Sequence, residues 1–172
     1  KMKELGKITE EEYQKALELC EKGYNLSCEV LGKEHPTTLS FSSNLGWTYN
    51  NMGEHNKALE INENTFYLFC KVLGNEHPVT ITSLSRLAST YIKLNDYKKA
   101  LELNENVYKL RCKKLGQEHP DTLSALNDLT DCYVELGQFA NVKELTEKLC
   151  ELSYNVFGEE NLITIEALTK LK

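Results

Sequence analysis

The stretch Leu31-Gly32-Lys33-Glu34-His35-Pro36-Thr37-Thr38-Leu39 returns as Leu73-Gly74-Asn75-Glu76-His77-Pro78-Val79-Thr80-Ile81 and again as Leu115-Gly116-Gln117-Glu118-His119-Pro120-Asp121-Thr122-Leu123. The interval is 42 residues both times. A fourth copy, Phe157-Gly158-Glu159-Glu160-Asn161-Leu162-Ile163-Thr164-Ile165, keeps the interval and the glycine but has lost the His-Pro pair. A fixed period of this size signals stacked supersecondary units, none of which can bury its apolar face alone. The chain divides accordingly into a partial unit 1–32, repeats 33–74, 75–116 and 117–158, and a partial unit 159–172, all in one array.

Physically the recurring stretch is a helix stop followed by a helix start. Gly32, Gly74, Gly116 and Gly158 suit a left-handed position past a helix end, where a Cβ costs about 1–2 kcal/mol. Pro36, Pro78 and Pro120 suit the first turn of the next helix, whose amide would lack a partner anyway. The threonine two residues beyond each proline would bring a hydroxyl near the free amides. Apolar residues at spacings of three and four then predict two kinds of amphipathic helix. First-type helices, at 37–52 and at the equivalent places in later repeats, carry Leu45, Leu87 and Leu129 with Tyr49, Tyr91 and Tyr133. Second-type helices at 10–31, 55–73, 97–115 and 139–157 have inner positions that include Ala58, Ile61, Phe66 and Val72, then Ala100, Leu103, Tyr108 and Leu110. Thr9 and Glu12 form a capping box for the 10–31 helix. Residues 1–6 read as the end of an earlier helix, and Leu162 onward begins another first-type helix. Short connections make neighbours antiparallel, and no period-two alternation suggests a strand. The fold class is all-α, an α-solenoid of antiparallel helix pairs.

Composition narrows the function. A net charge of −6, with lysines and acids interspersed, gives no basic stripe for nucleic acid. No run approaches 18 apolar residues, so no membrane span is expected. Six cysteines include Cys28, Cys70 and Cys112 at one repeat position, which is a packing choice rather than a disulfide framework. They read as reduced, mostly buried residues of a cytoplasmic protein. His35, His77 and His119 do not share a metal, because repeat-equivalent residues lie about 8–10 Å apart whereas zinc ligands lie within about 2.0–2.1 Å of one ion. No metal or other cofactor is expected. A Cys-His pair repeated in three units is better explained by packing than by three active sites, and no phosphate loop, HExxH or GxSxG occurs. The chain does not read as an enzyme. It begins and stops within repeats, as a fragment of a longer array would.

Leu45-Gly46…Tyr49…Ala58 and Leu87-Ala88…Tyr91…Ala100 resemble the tetratricopeptide repeat. Leu129-Thr130…Tyr133…Val142 departs at both small positions, which predicts a looser helix approach there. The usual period is about 34 residues. A 42-residue unit with Leu-Gly-x-Glu-His-Pro-x-Thr is similar to the variety in kinesin light chains, nephrocystin-like proteins and many signalling proteins. The resemblance implies a right-handed solenoid whose first helices line a concave groove for an extended peptide or protein segment. The residues then facing the groove are Asn44, Trp47 and Asn51, then Arg86, Ser89 and Lys93, then Asn127, Asp128 and Asp131. This set is amide-rich, then basic, then acidic, and Trp47 is its one large anchor. The function expected is a protein-interaction scaffold. The alternative is a regulatory or sensing segment of a larger multidomain signalling protein, or one that self-associates end to end.

Overall fold

The computed structural model describes residues 9–170. They form eight α-helices: α1 Glu10–Leu31, α2 Pro36–Asn51, α3 His55–Leu73, α4 Pro78–Lys93, α5 Tyr97–Leu115, α6 Pro120–Glu135, α7 Phe139–Phe157 and α8 Leu162–Lys170. First-type helices are α2, α4, α6 and α8, and second-type helices are α1, α3, α5 and α7. The helix end expected within residues 1–6 lies outside the described residues.

The helix starts are set by side chains acting locally. The capping box at α1 is complete: Thr9 Oγ1 accepts from the Glu12 amide at 3.2 Å and the Thr9 amide donates to Glu12 Oε2 at 2.7 Å. At α2, α4 and α6 the proline is the first helical residue, and the histidine before it is the N-cap. Its Nδ1 accepts from the amide two residues on, at 3.1–3.2 Å in all three junctions. Asn161 does the same for α8, taking the Ile163 amide on Oδ1 at 3.0 Å. The fourth copy has therefore changed its cap without losing it.

The threonine of the motif has a different job from the one its position suggested. Thr38, Thr80, Thr122 and Thr164 are fully buried. Thr38 Oγ1 donates back to Gly32 O at 2.8 Å, and Thr80 Oγ1 reaches Phe69 O at 3.5 Å. The Thr122 and Thr164 hydroxyls have no hydrogen-bond partner among the described residues. These side chains seat the new helix against the end of the old one instead of capping amides, because the histidine already holds the amide. The glycines do have positive φ, but Gly32, Gly74 and Gly116 pair it with ψ near 160°. That is the extended, essentially glycine-only region rather than the left-handed helical one.

The helices group into two compact units, residues up to Leu94 and from Asn95 on. In the first, α2 packs on α1 and α3, and α4 packs on α3 and α2. In the second, α6 packs on α5 and α7, and α8 packs on α7 and α6. Leu39, Leu45, Ala58, Leu84 and Leu87 in the first core and Leu123, Leu126 and Leu129 in the second are buried where the periodicity placed them, and the second core adds Val107 and Leu149, which the periodicity had not singled out. Val72, expected inside, is 38% exposed, and Phe69, three residues earlier, is the buried side chain of that turn. The cysteines also differ from expectation. All six are free thiols, but Cys132 is the buried one and the others are half-buried.

A polar lattice repeats with the helices. Tyr49, Tyr91 and Tyr133 each donate to a glutamate 28 residues earlier, Glu21, Glu63 and Glu105. Asn62, nearly fully buried, donates to Thr90 Oγ1 at 2.9 Å. Its Oδ1 lies where a Cβ on Gly46 would stand, at 2.1 Å. Gly46 is thus small because a buried asparagine fills its place. In the third repeat Thr130 and Thr146, both fully buried, hold these two positions. Thr130 and Val142, the two positions at which a looser approach was expected, are both buried.

Candidate functional site

Residues Asn44, Trp47 and Asn51 on α2 follow i, i+3, i+7 spacing, and Arg86, Ser89 and Lys93 repeat it on α4. Such spacing places each trio on one helix face, and α2 and α4 are in contact. Asn44, Asn51, Ser89 and Lys93 are exposed. Trp47 is 43% exposed, with its ring centroid 6.2 Å from that of Tyr13 at a 54° tilt, so α1 covers part of it. Asn51 Nδ2 donates to Trp47 O at 2.7 Å.

Arg86 is the most constrained of the six. Its Nη1 donates to Ser43 O at 2.7 Å, Ser43 Oγ at 3.0 Å and Asn44 Oδ1 at 3.2 Å, which ties α4 to α2. Its Nε and Nη2 make no hydrogen bond, and no carboxylate pairs with it among the described residues. Burial lowers its pKa from the ordinary value, but a guanidinium stays charged at any biological pH. Beside it is a recess of about 140 Å³ lined by Ser40, Ser43, Asn44 and Thr82, with Phe69 and Val79 as its apolar part. A half-buried cation with free donors, facing hydroxyls and an amide, can hold a carboxylate or other anion by charge-assisted hydrogen bonds.

The second unit treats its candidates differently. Asn127, Asp128 and Asp131 lie on α6, and α8 supplies their partners. Lys170 Nζ lies 2.5 Å from Asp131 Oδ1 and donates to Asn127 Oδ1 at 2.8 Å. Asn127 Nδ2 donates to Glu166 Oε2 at 3.2 Å. Asp128 has its carboxyl pushed up to about 6, first by burial and then by the neighbouring Asp131 charge, against the pull of Arg111 and Lys170. Asn127 and Asp131 are thus spent largely inside the protein. Lys170 could have been found from the sequence, since it stands 42 residues after Asp128 and 84 after Arg86, at the same repeat position.

No group of three or more His, Cys, Asp or Glu among the described residues is arranged to hold a metal ion. No described helix is long and apolar enough to cross a membrane.

Residues 49–113 and 10–37 match the tetratricopeptide repeat family. The chain is a tetratricopeptide-repeat protein. Its 42-residue repeats are of the kinesin-light-chain-like class. The nearly identical TPR-like repeats of a Podosopora anserina protein assigned to the kinesin light chains superpose with a TM-score of 0.82 at 28% identity, over 94% of this chain and 76% of that one. BtubC (BKLC) of P. vanneervenii matches with a TM-score of 0.71 at 16% identity, over 92% and 64% of the two chains, and apo RapI with 0.55 at 19%, over 93% and 63%. These two show the fold alone. No curated protein matches the sequence. The tetratricopeptide fold is typically a non-enzymatic scaffold for protein interactions, and this array shares it.

Proposed function

We propose that this tetratricopeptide array binds an acidic, extended segment of a partner protein on the α2/α4 face of its first unit. The observation that carries the reading is Arg86, a half-buried cation that among the described residues has two nitrogen atoms unengaged and no carboxylate partner, at the edge of a recess lined by hydroxyls and an amide. Lys93 adds a second exposed cation seven residues along the same face, and Trp47 offers a partly exposed ring. Asn44 and Asn51 can hold the backbone of an extended chain. The same proposal makes the protein a cytoplasmic one, since six free thiols suit a reducing compartment.

Trp47 is the chain's one tryptophan, so its fluorescence reports on this face directly. Titration with a blocked Asp/Glu-rich pentapeptide should shift the emission saturably, and the Asn/Gln counterpart should bind at least about tenfold more weakly. Arg86→Glu should abolish the difference between the two peptides, with an effect that shrinks as salt rises. Equal binding of both peptides to the wild type would overturn the proposal.

A second reading, self-association, is favoured by α8. Leu162, Ile165 and Leu168 are 67%, 46% and 41% exposed at spacings of three, an apolar stripe on one side of the helix. Sedimentation equilibrium should then show concentration-dependent mass that Ile165→Glu removes.

A further inference from the structure

The three repeats differ at a pair of buried positions. Ser42 on α2 stands where later repeats have Leu84 and Leu126, and Thr65 on α3 stands where they have Val107 and Leu149. In the second unit Leu126 and Leu149 are both fully buried in one apolar cluster, with Tyr108 and Leu145 packed against it. In the first unit the two hydroxyls bond each other at 2.6 Å. The exchange satisfies both polar groups, but it removes several methyl and methylene groups' worth of filling. An open cleft of about 350 Å³ lies there among α1, α2 and α3. Ser42 lines it together with the apolar and aromatic surfaces of Tyr24, Leu45, Tyr49 and Ile61. This volume falls at the small end of ligand sites, about 300–1,000 Å³.

Two charged groups border the cleft, and they are not equivalent. Lys57 is already engaged, 3.5 Å from Glu54 and 5.5 Å above the Tyr49 ring. Glu60 also lines the cleft and makes no hydrogen bond or ion pair among the described residues. The cleft thus joins an apolar floor that elsewhere in this protein is filled by leucine to a carboxylate that lacks a cation.

We infer that this cleft is a second docking site, for a partner segment that inserts a leucine-like aliphatic side chain followed by a lysine or arginine. The leucine completes the packing that Leu84 and Leu126 complete in the other repeats, and the cation meets Glu60. The site is separate from the α2/α4 face and requires the opposite charge in its ligand, so it stands or falls independently of the function proposed above.

Amide chemical shifts of the ¹⁵N-labelled array, titrated with the blocked tetrapeptide Ala-Leu-Lys-Ala, test it. Saturable shifts are expected at Ser42, Leu45 and Ile61. Ala-Ala-Lys-Ala should bind about tenfold or more weakly, because the aliphatic anchor is gone. Ala-Leu-Glu-Ala should also bind more weakly, by a margin that closes with added salt. Ser42→Leu, which fills the cleft with the residue the other repeats use, should abolish the saturable shifts while the helical circular dichroism stays that of the parent. If Ser42→Leu does not fold, Glu60→Gln decides, since it should erase the preference for lysine over glutamate with the fold intact. The inference is overturned if no saturable shift appears, if the leucine and alanine peptides bind equally, or if a folded Ser42→Leu binds as before. It is also overturned if indole occupies the cleft more tightly than the leucine peptide, which would make this a small-molecule site.

Discussion

At three junctions between repeats a histidine ring nitrogen, rather than the hydroxyl that follows, meets the first free amide of the new helix. Replacing such a cap by alanine costs about 0.5–2 kcal/mol. His77→Ala should lower the unfolding free energy from denaturant titration by that amount, and His77→Asn should restore most of it, since Asn161 already serves α8 in this way. Both variants losing stability equally would mean that the ring packs and does not cap. Gly46 poses the opposite problem, a residue held small by a neighbour. Glycine to alanine inside a helix ordinarily stabilises by about 1 kcal/mol, but here the new Cβ would meet Asn62 Oδ1 and displace an amide bonded to Thr90. Gly46→Ala should therefore destabilise, by about 1–2 kcal/mol for the buried hydrogen bond disturbed. Adding Asn62→Thr, the residue used at the equivalent Thr146, should recover part of the loss. A double-mutant cycle with no coupling would refute the steric account.

Among elements, the contact of α6 with α8 shows how a face that looks available becomes internal. Lys170 draws Asn127 and Asp131 together, leaving Asp128 as the carboxyl whose ionisation burial opposes. A folded-state pKa raised from 3.8 to about 6 means that the folded protein holds this proton more tightly than the unfolded chain. The associated stability is fully present below about pH 4 and is lost as pH rises through about 6. Asp128→Asn should accordingly be more stable than the parent at pH 7, by about 1–3 kcal/mol given 1.36 kcal/mol per pH unit and partial solvent screening. The gap should close as pH falls from 6 to 4. Thermal melts at pH 4, 5, 6 and 7 provide the check, and a constant difference across them would assign Asp128 no role in the pH dependence. The matching element in the first unit, α4 on α2, uses Arg86 in place of Lys170 and finds backbone and amide oxygens rather than acids. That difference is why one face keeps an unsatisfied cation and the other does not.

For the molecule as a whole, the three junction histidines act as caps, so removing metal should leave stability untouched. Melting temperatures with and without a chelator should coincide, and a fall of several degrees with stoichiometric zinc would reverse that reading. The helices themselves were legible from the chain because their determinants are local. The 42-residue period, the proline at each first turn, the glycine at each stop and the Thr9-Glu12 box act within a few residues of one another, and the observed helix limits follow them closely. The family was legible for the same reason, as small and aromatic residues recur at fixed steps. The fate of the polar side chains was not. Whether Arg86 points to solvent or to Ser43, whether Asp131 is free or held by Lys170, and whether Ser42 meets a leucine or Thr65 depend on contacts between residues 23 to 43 positions apart. Periodicity assigns a residue to a face of its own helix. Only the packing of one helix on another decides which of that face's donors and acceptors are already satisfied, because hydrogen bonds of this kind are set by distances of a few tenths of an ångström between separate elements.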